Sequence, residues 1–522
     1  MTNNEYLLAL DGGTGSFRAI LFNRTGKQVA IEQIEWEHPV DSRYPGSISF
    51  DFVNGWDIIK TCIKNLINKN DINPEEIKGV SADSMREGFI LYDENQNELI
   101  GFSNVDSRSN EEAIFLKSSN PELEMEIYLE TGQTFALSAL PRLLWVKNHE
   151  PEIYSKTKYI NMINDWIVTK LTGKIVSEPS NASTSGLFDL KARSWLPKVA
   201  EKCGIKSDIF PPVVESGNAV GNVSEQVSLE TGLSTNTVVV CGGGDSQLGC
   251  IGVGSIENNQ AALFGGSFWQ YEYNTDKPLV DSLGRIRVNC HAVPHLWQQE
   301  AIAWSSGLVM RWFRDAFLML DKEKAKELRT SVYSIMDKYA AEIPVGSNGM
   351  IVTFADIMNF RNLKHGSPTI TNFAIDPINF NKYTLYRAIM ENAGLITLGH
   401  LKMVEEITGN IPNEIYFAGG SSYSKLWCQI IADILGIRVI TPKEKEATAL
   451  GAAFLAGVGS GVYSSLQEAV KNVEIDCVFE PNMVNHQEYL KVFETWQKVY
   501  KAQLELSDRG ITHYMWKAAG AI

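Results

Sequence analysis

Apolar and polar positions alternate in short blocks at the start of the chain. Leu7 to Leu10 is a compact apolar run that ends in Asp11, Gly12 and Gly13 follow, and after Thr14, Gly15 and Ser16 the apolar pattern resumes from Phe17 to Phe22, broken only by Arg18. Short apolar blocks bounded by glycine and turn residues predict strands. Asn23 to Lys27 reads as a further turn, leading into a third strand over VAIEQ. The first two blocks thus predict a hairpin whose bend carries a carboxylate, flexible backbone amides, two hydroxyls and a guanidinium. Such a bend suits a phosphate held by a nest of backbone N–H groups and by side chains. No helix opens at the glycines and no third glycine stands in register, so the stretch is not a dinucleotide fingerprint. Thr14, Gly15, Ser16 and Arg18 are the candidate phosphate ligands.

Further along, Trp56, Ile59, Ile63, Leu66 and Ile67 recur at helical spacing, which predicts a helix. Ile77 to Ser81 reads as a strand, the loop Ser84 to Gly88 follows, and FILY resumes a strand. Arg86 and Glu87 in that loop are suited to a polyol, because a guanidinium donates to hydroxyl oxygens and a carboxylate accepts from hydroxyl protons. The residues by themselves favour the plainer reading, a solvated ion pair on a hairpin, and the same holds for Asn104, Asp106 and Arg108. Residues 162 to 174 predict a helix with Asn164 or Asp165 as its N-cap and Gly173 past its end.

Near position 240, VVVCGGGDSQLGC places Asp245 after a buried strand and three glycines. A carboxylate there could act as a general base or lie near a metal; a turn-forming Asp is the alternative. Residues 261 to 274, AALFGGSFWQYEYN, repeat the opening pattern with Ser267 where Thr14 stood. The repeat predicts two related halves, each turning a phosphate hairpin toward a shared cleft. IYFAGGSSYSKLWCQIIADILG (415 to 436) reads as strand, Gly-Gly turn and amphipathic helix, with glycines against which a flat purine could lie. Thr441, Pro442 and Glu444 suggest a capped start for the small-residue helix EATALGAAFLAG, whose alanines and glycines imply close packing. Leu490, Phe493, Trp496, Tyr500 and Leu504 share a helical face that should dock on a domain. No low-complexity linker separates the halves, and Gly249 to Glu257 is the expected hinge.

At 522 residues the chain exceeds one core, so two sizeable domains are expected. A net charge of -15 argues against nucleic acid or an anionic membrane as partner. Any phosphate must therefore be held by local donors against the overall field. No apolar run reaches the length of a membrane span, and Asp11 interrupts the first apolar stretch too early for a signal peptide, so a cytoplasmic protein is expected. Seven cysteines without a CxxC pair fit reduced core thiols.

DGGTGSFRA, SMREG, GGGDSQLG, FGGSFW, SSGLVMRWFRD, FAGGSSYSKLWCQIIADILG and EATALGAA, in that order, resemble the FGGY family of carbohydrate kinases. SMREG, NVDSRS, TGQTFALSALPRLLW, MINDW and the tail near His513 to Lys517 carry a closer likeness to a branch acting on the quorum-sensing signal 4,5-dihydroxypentane-2,3-dione at its terminal hydroxyl. The resemblance implies an α/β fold of two ribonuclease-H-like domains, of the actin and hexokinase type, around a central cleft. The domains would be 1–250, 255–480 and a helical extension at 481–522. It implies ATP and magnesium, with Asp245 as catalytic base and Asp11 and Asp245 near the metal. Thr14, Gly15, Ser16, Arg18, Gly266 and Ser267 would contact phosphates, and Gly307, Arg311, Gly419, Gly420 and Ser424 would lie along the nucleotide. Arg86, Glu87, Leu137, Asp165, Ser246 and Trp269 would line the substrate. Leu137 and Ser246 replace a Tyr and a Gln of the glycerol kinases, which puts glycerol in doubt, and Arg311 replaces a nucleotide-side Gln. A pentulose or polyol kinase of the family, and an actin-like ATP-binding protein without catalysis, are the alternatives. A phosphocarrier protein of the sugar phosphotransferase system and a homodimer are partners that the family suggests and the residues leave open.

Overall fold

The computed structural model describes residues 5–303 and 306–521; Ser305, which opens the SSGLVMRWFRD motif, lies outside the described residues. The chain forms two compact units and passes between them several times. The first takes residues up to Asn258, with Asn274–Gln298 and Glu446–Glu474; the second takes Asn259–Tyr273, Gln299–Lys445 and the residues from Ile475 on.

In the first unit, β1 (Tyr6–Gly12) and β2 (Ser16–Asn23) form the expected hairpin, with Asp11 opposite Arg18, and β3 (Gln28–Glu35) extends it. β4 (Ile77–Ser84) runs parallel to β1, β6 (Val238–Gly244) runs parallel to β4, and β5 (Ala219–Asn222) closes the edge antiparallel. The order is β5-β6-β4-β1-β2-β3. The unbroken apolar run in β1 follows from burial on both faces. Leu8 and Leu10 pack with Ile59, Ile63 and Trp166 on one side, and Leu7 and Ala9 pack with Leu248, Ala449, Ala452 and Ala453 on the other.

The helices Asp245–Gly252 and Ala447–Gly459 cross at backbone contact in this second layer. A Cβ on Gly252 would lie 1.8 Å from the Ala447 carbonyl oxygen, and one on Gly451 would lie 1.9 Å from that of Leu248. Only glycine permits that approach, which is the close packing that the small-residue pattern implies.

The second unit repeats the topology. β7 (Ala261–Gly265) and β8 (Trp269–Thr275) form a hairpin, with β9 (Trp297–Ala303) beyond it; β10 (Glu414–Ala418) and β11 (Arg438–Pro442) run parallel to β7, and β12 (Ile475–Phe479) closes the edge antiparallel. Within its seven-stranded sheet, the run β9-β8-β7-β10-β11-β12 matches the first unit's β3-β2-β1-β4-β6-β5. The helix Met483–Asp508 buries Tyr489, Phe493, Trp496 and Tyr500, while Leu490 and Leu504 sit half-buried at the flank of that face.

Three local expectations differ from the structure. The helix Ile163–Thr172 takes Met162 as N-cap, with Asn164 and Asp165 inside its first turn, because their side chains are engaged in a buried network and not with the helix end. Thr441 and Pro442 finish β11, and the following helix starts at Ala447 behind Glu446, whose side chain turns to Arg18 instead of capping. Gly249 to Gly252 is helical, and the stretch through Glu257 stays within the first unit, the chain first leaving it after Asn258.

Candidate active site

In the first unit the carboxyl ends of β1, β4 and β6 carry Asp11, Asp83 and Asp245. Asp11 is 4 % exposed and accepts from Arg18 Nε at 2.9 Å. The Arg18 guanidinium also bonds Glu446, 428 positions away in sequence. Burial alone would lower the Arg18 pKa, but Asp11 and Glu446 together raise it, so this cation is firmly held. Gly15, at the bend of the hairpin, has nothing within 4 Å of a would-be Cβ. Thr14 pairs with Asn104, whose Nδ2 donates to the Thr14 hydroxyl at 3.1 Å. Trp36 Nε1 donates to the Gly13 carbonyl at 2.9 Å, and Gln33 donates to Ser16 at 3.3 Å. The loop is thus a fixed cradle, tied down from behind.

Asp83 stands in register with Asp11 and is wholly buried, with no donor on either carboxyl oxygen. Burial first, then the charges of Asp11 and Asp245, push its pKa well above the usual carboxylate range. Asp245 begins a helix after Gly244, its side chain 42 % exposed. Arg86 Nε lies 3.1 Å from Asp245 Oδ1, and the Ser246 N–H donates to the same oxygen at 2.8 Å, so the carboxylate's orientation is set. The three glycines before it admit protein groups: a Cβ on Gly242 would lie 1.8 Å from the Ala82 carbonyl oxygen, and one on Gly243 would lie 2.6 Å from Ser180 Oγ.

Arg86 and Glu87 are not a solvated pair. Both are buried, and they engage different partners: Arg86 takes Asp245, and Glu87 Oε1 lies 2.5 Å from Nη1 of the buried Arg287. Arg287 is held in turn by Gln133 at 2.7 Å. Glu87 has a left-handed backbone (φ 63°), uncommon for a side chain of its size. Arg142 stabilises it there by donating to the carbonyls of Glu87 (2.7 Å), Asn104 (2.9 Å) and Asp106 (3.2 Å). Asp106 and Arg108 form a buried pair of their own, with Asp106 also accepting from the Ile48 N–H.

Asp165 is 1 % exposed and accepts from the Glu178 N–H, in a network that runs through Asn164 and Asn181 to Ser84. Burial raises the pKa of both Asp165 and Glu178. Asp165 therefore supports the end of β4 from within, and Gly244 is braced similarly by its N–H bond to Ser180. Leu137 is half-buried, and Ser246 is buried with its hydroxyl unpartnered.

The second unit holds a cavity of about 720 Å³ lined by Gly265, Gly266, Ser267, Gly307, Arg311, Gly420 and Ser424, among others. Gly307 touches the hairpin tip so closely that a Cβ would lie 1.9 Å from the Gly266 carbonyl oxygen. Arg311 Nη2 donates to Ser267 Oγ at 2.7 Å. Gly419 is left-handed (φ 87°), and a Cβ on Gly420 would meet open space. Trp269, expected beside the substrate, is instead wholly buried: it stacks on Trp427 at 5.2 Å and donates to Thr397 at 2.8 Å, leaving no face for a ligand.

Residues 6–252 match the N-terminal domain, and residues 273–460 the C-terminal domain, of the FGGY family of carbohydrate kinases. The chain belongs to that family. This FGGY kinase is 41 % identical over 521 residues to an autoinducer-2 kinase of Yersinia enterocolitica and 42 % identical over 517 residues to one of Escherichia coli, in each case covering 99 % of this chain and 98 % of the relative. Its fold is that of the two-domain ribonuclease-H-like kinases. A ligand-bound xylulose kinase from Lactobacillus acidophilus superposes with a TM-score of 0.83 at 22 % identity, covering 95 % of this chain and 98 % of the other. A Plasmodium falciparum glycerol kinase with ADP also gives 0.83, at 20 % identity, covering 96 % and 98 %.

Asp83, Arg142, Arg287 and Glu446 escaped the sequence reading. For Asp83 a signal exists, an acid near the end of the strand IKGVSADS, whose residues after Lys78 are otherwise small or apolar. The others become site residues only through partners distant in the chain. No helix among the described residues is long and apolar enough to cross a membrane.

Proposed function

We propose that this FGGY kinase transfers the γ-phosphoryl group of ATP to the terminal hydroxyl of autoinducer-2, 4,5-dihydroxypentane-2,3-dione. The supporting observation is the full-length match to kinases named for that signal, in a chain whose first unit presents a partly exposed, oriented carboxylate at Asp245. Phosphoryl transfer passes through a loose transition state, so positioning and charge stabilisation carry the rate. Asp245 accepts the proton of the attacking hydroxyl. Arg86 holds Asp245 and, with Glu87, grips the other oxygens of a small polyhydroxylated acceptor. Ser267 and Arg311 hold the phosphate end of the nucleotide on the second unit, and Thr14, Ser16 and Arg18 receive the transferring group on the first.

The acids of the first unit fit magnesium. Three carboxylates at adjacent strand ends, one without a hydrogen-bond donor, exceed the one or two that a phosphate-bound magnesium takes from protein. Among the described residues no group of three or more His, Cys, Asp or Glu side chains is arranged to hold a metal ion by itself. Asp11 and Asp245 would hold it, and it would supply charge neutralisation. ATP as co-substrate and seven free thiols fit a cytoplasmic enzyme.

The test is ADP release in a coupled assay with dihydroxypentanedione, glycerol, xylulose and ribulose as separate acceptors and Asp245→Asn as control. Turnover confined to dihydroxypentanedione, and reduced about 10²- to 10⁴-fold in the variant, is the expected result. Turnover mainly on a sugar overturns the substrate assignment, and an Asp245→Asn variant with near wild-type rate removes the base.

A further inference from the structure

We infer that Asp337 selects the nucleobase, accepting a hydrogen bond from the 6-amino group of adenine; the inference rests on the nucleotide reading of the second-unit cavity. Three elements converge at this carboxylate. Asp337 lies on the helix Val332–Ala340, Tyr386 on Lys382–Thr408, and Ser424 caps Lys425–Leu435 through the Trp427 N–H at 3.1 Å. The Tyr386 hydroxyl donates to Asp337 Oδ1 at 2.8 Å, and Ser424 lines the same cavity. Tyr386 is 1 % exposed, so its donor is immobile and fixes how the carboxylate faces the cavity.

Asp337 is the one acid among the described lining residues, in a cavity whose hairpin side offers Ser267 and Arg311. An acceptor-only group cannot serve the anionic end of a nucleotide. It suits a part of the ligand that donates and carries no charge, and a nucleobase amine is such a group. Gly420 also lines this cavity and leaves open space where a Cβ would stand, room for the flat face of a purine. Guanine would present two donors, N1–H and the 2-amino group, and would need both carboxylate oxygens. With Tyr386 orienting the carboxylate through Oδ1, a single amine needs only the other oxygen, which matches adenine.

The experiment compares kcat/KM for ATP, purine riboside triphosphate, ITP and GTP, and measures binding of ADP and IDP by calorimetry, in the wild type, Asp337→Asn and Tyr386→Phe. The wild type should prefer ATP to purine riboside triphosphate, which lacks the amine, by at least about tenfold. In Asp337→Asn, Tyr386 holds the amide oxygen and turns the NH2 toward the base. The ATP-to-ITP ratio should then fall at least about tenfold, with the KM of the acceptor unchanged. Tyr386→Phe should weaken the preference in the same direction. Equal use of ATP and the amine-free analogue, or an ATP-to-ITP ratio unmoved in both variants, overturns the inference, as does a preference for GTP. The calorimetric ADP-to-IDP ratio reads the base without any acceptor, so it holds even where the acceptor assignment fails.

Discussion

Replacing Gly307 by alanine tests whether the second-unit hairpin is the phosphate grip. The added Cβ would stand 1.9 Å from the Gly266 carbonyl oxygen and 2.9 Å from its carbon, both backbone atoms that no rotamer change can clear. Reaching even the 3.0 Å below which real Cβ contacts essentially never occur requires the tip to move by at least about 1.1 Å. Arg311 reaches Ser267 at 2.7 Å, so a shift of that size directed away from the helix takes the pair beyond hydrogen-bonding distance. A misplacement of about 1 Å in a positioning group costs on the order of 10²-fold, about 2.7 kcal/mol. Gly266 and Ser267 are exposed, so the tip moves without opening the core and the melting temperature should stay near wild type. The assay is kcat/KM for ATP by coupled ADP release, with circular dichroism and thermal melts as the fold control. Gly420→Ala is the companion: its Cβ meets no protein atom within 4 Å, so any loss there reports the ligand's own presence. A Gly307→Ala enzyme within threefold of wild type in kcat/KM for ATP refutes the assignment of the hairpin.

Gly252→Ala should destabilise the first unit by about 3 kcal/mol or more, since its Cβ would lie 1.8 Å from the Ala447 carbonyl oxygen at a helix crossing; a thermal melt within 1 °C of wild type would contradict that crossing. Arg287→Leu strips the buried Glu87 of its cation, at a cost of about 3–5 kcal/mol, and should raise the KM for the acceptor; unchanged stability would remove the pair from the framework. In the second unit His400 accepts from the Met358 N–H through Nε2 at 2.9 Å, and burial, reinforced by His365, lowers its pKa to about 3. The unfolded chain binds that proton near pH 6.5 and the folded one does not. Stability is therefore complete above pH 6.5 and lost as pH falls toward 3, by about 2 kcal/mol between pH 6.5 and 5 for this site. His400→Gln keeps an acceptor for Met358 and should flatten the decline in melting temperature over that range; an identical slope would exclude His400 as its source.

Much of this protein was legible in the sequence because it is written in local patterns. The hairpin Leu7 to Phe22, its repeat at 261 to 274, the left-handed glycine caps at Gly173 and Gly436, and the close-packed helix after Glu446 each follow from neighbouring residues. Asp11 and Asp245 stood out because each ends an apolar strand at a glycine turn, and the ordered motifs sufficed for the family. Tertiary structure alone decided what those motifs are joined to. Arg86 and Glu87 look like partners in sequence, yet burial sends one to Asp245 and the other to Arg287. Trp269 sits beside a phosphate hairpin in sequence but faces the core, as alternate residues of a strand must. Asp83 meets Asp11 because β4 crosses over to run parallel to β1, and Glu446 meets Arg18 because the small-residue helix folds back onto the first sheet. Local propensity fixes which elements form. Which side chains share a site depends on strand order and on which faces are buried, and these are properties of the packed chain.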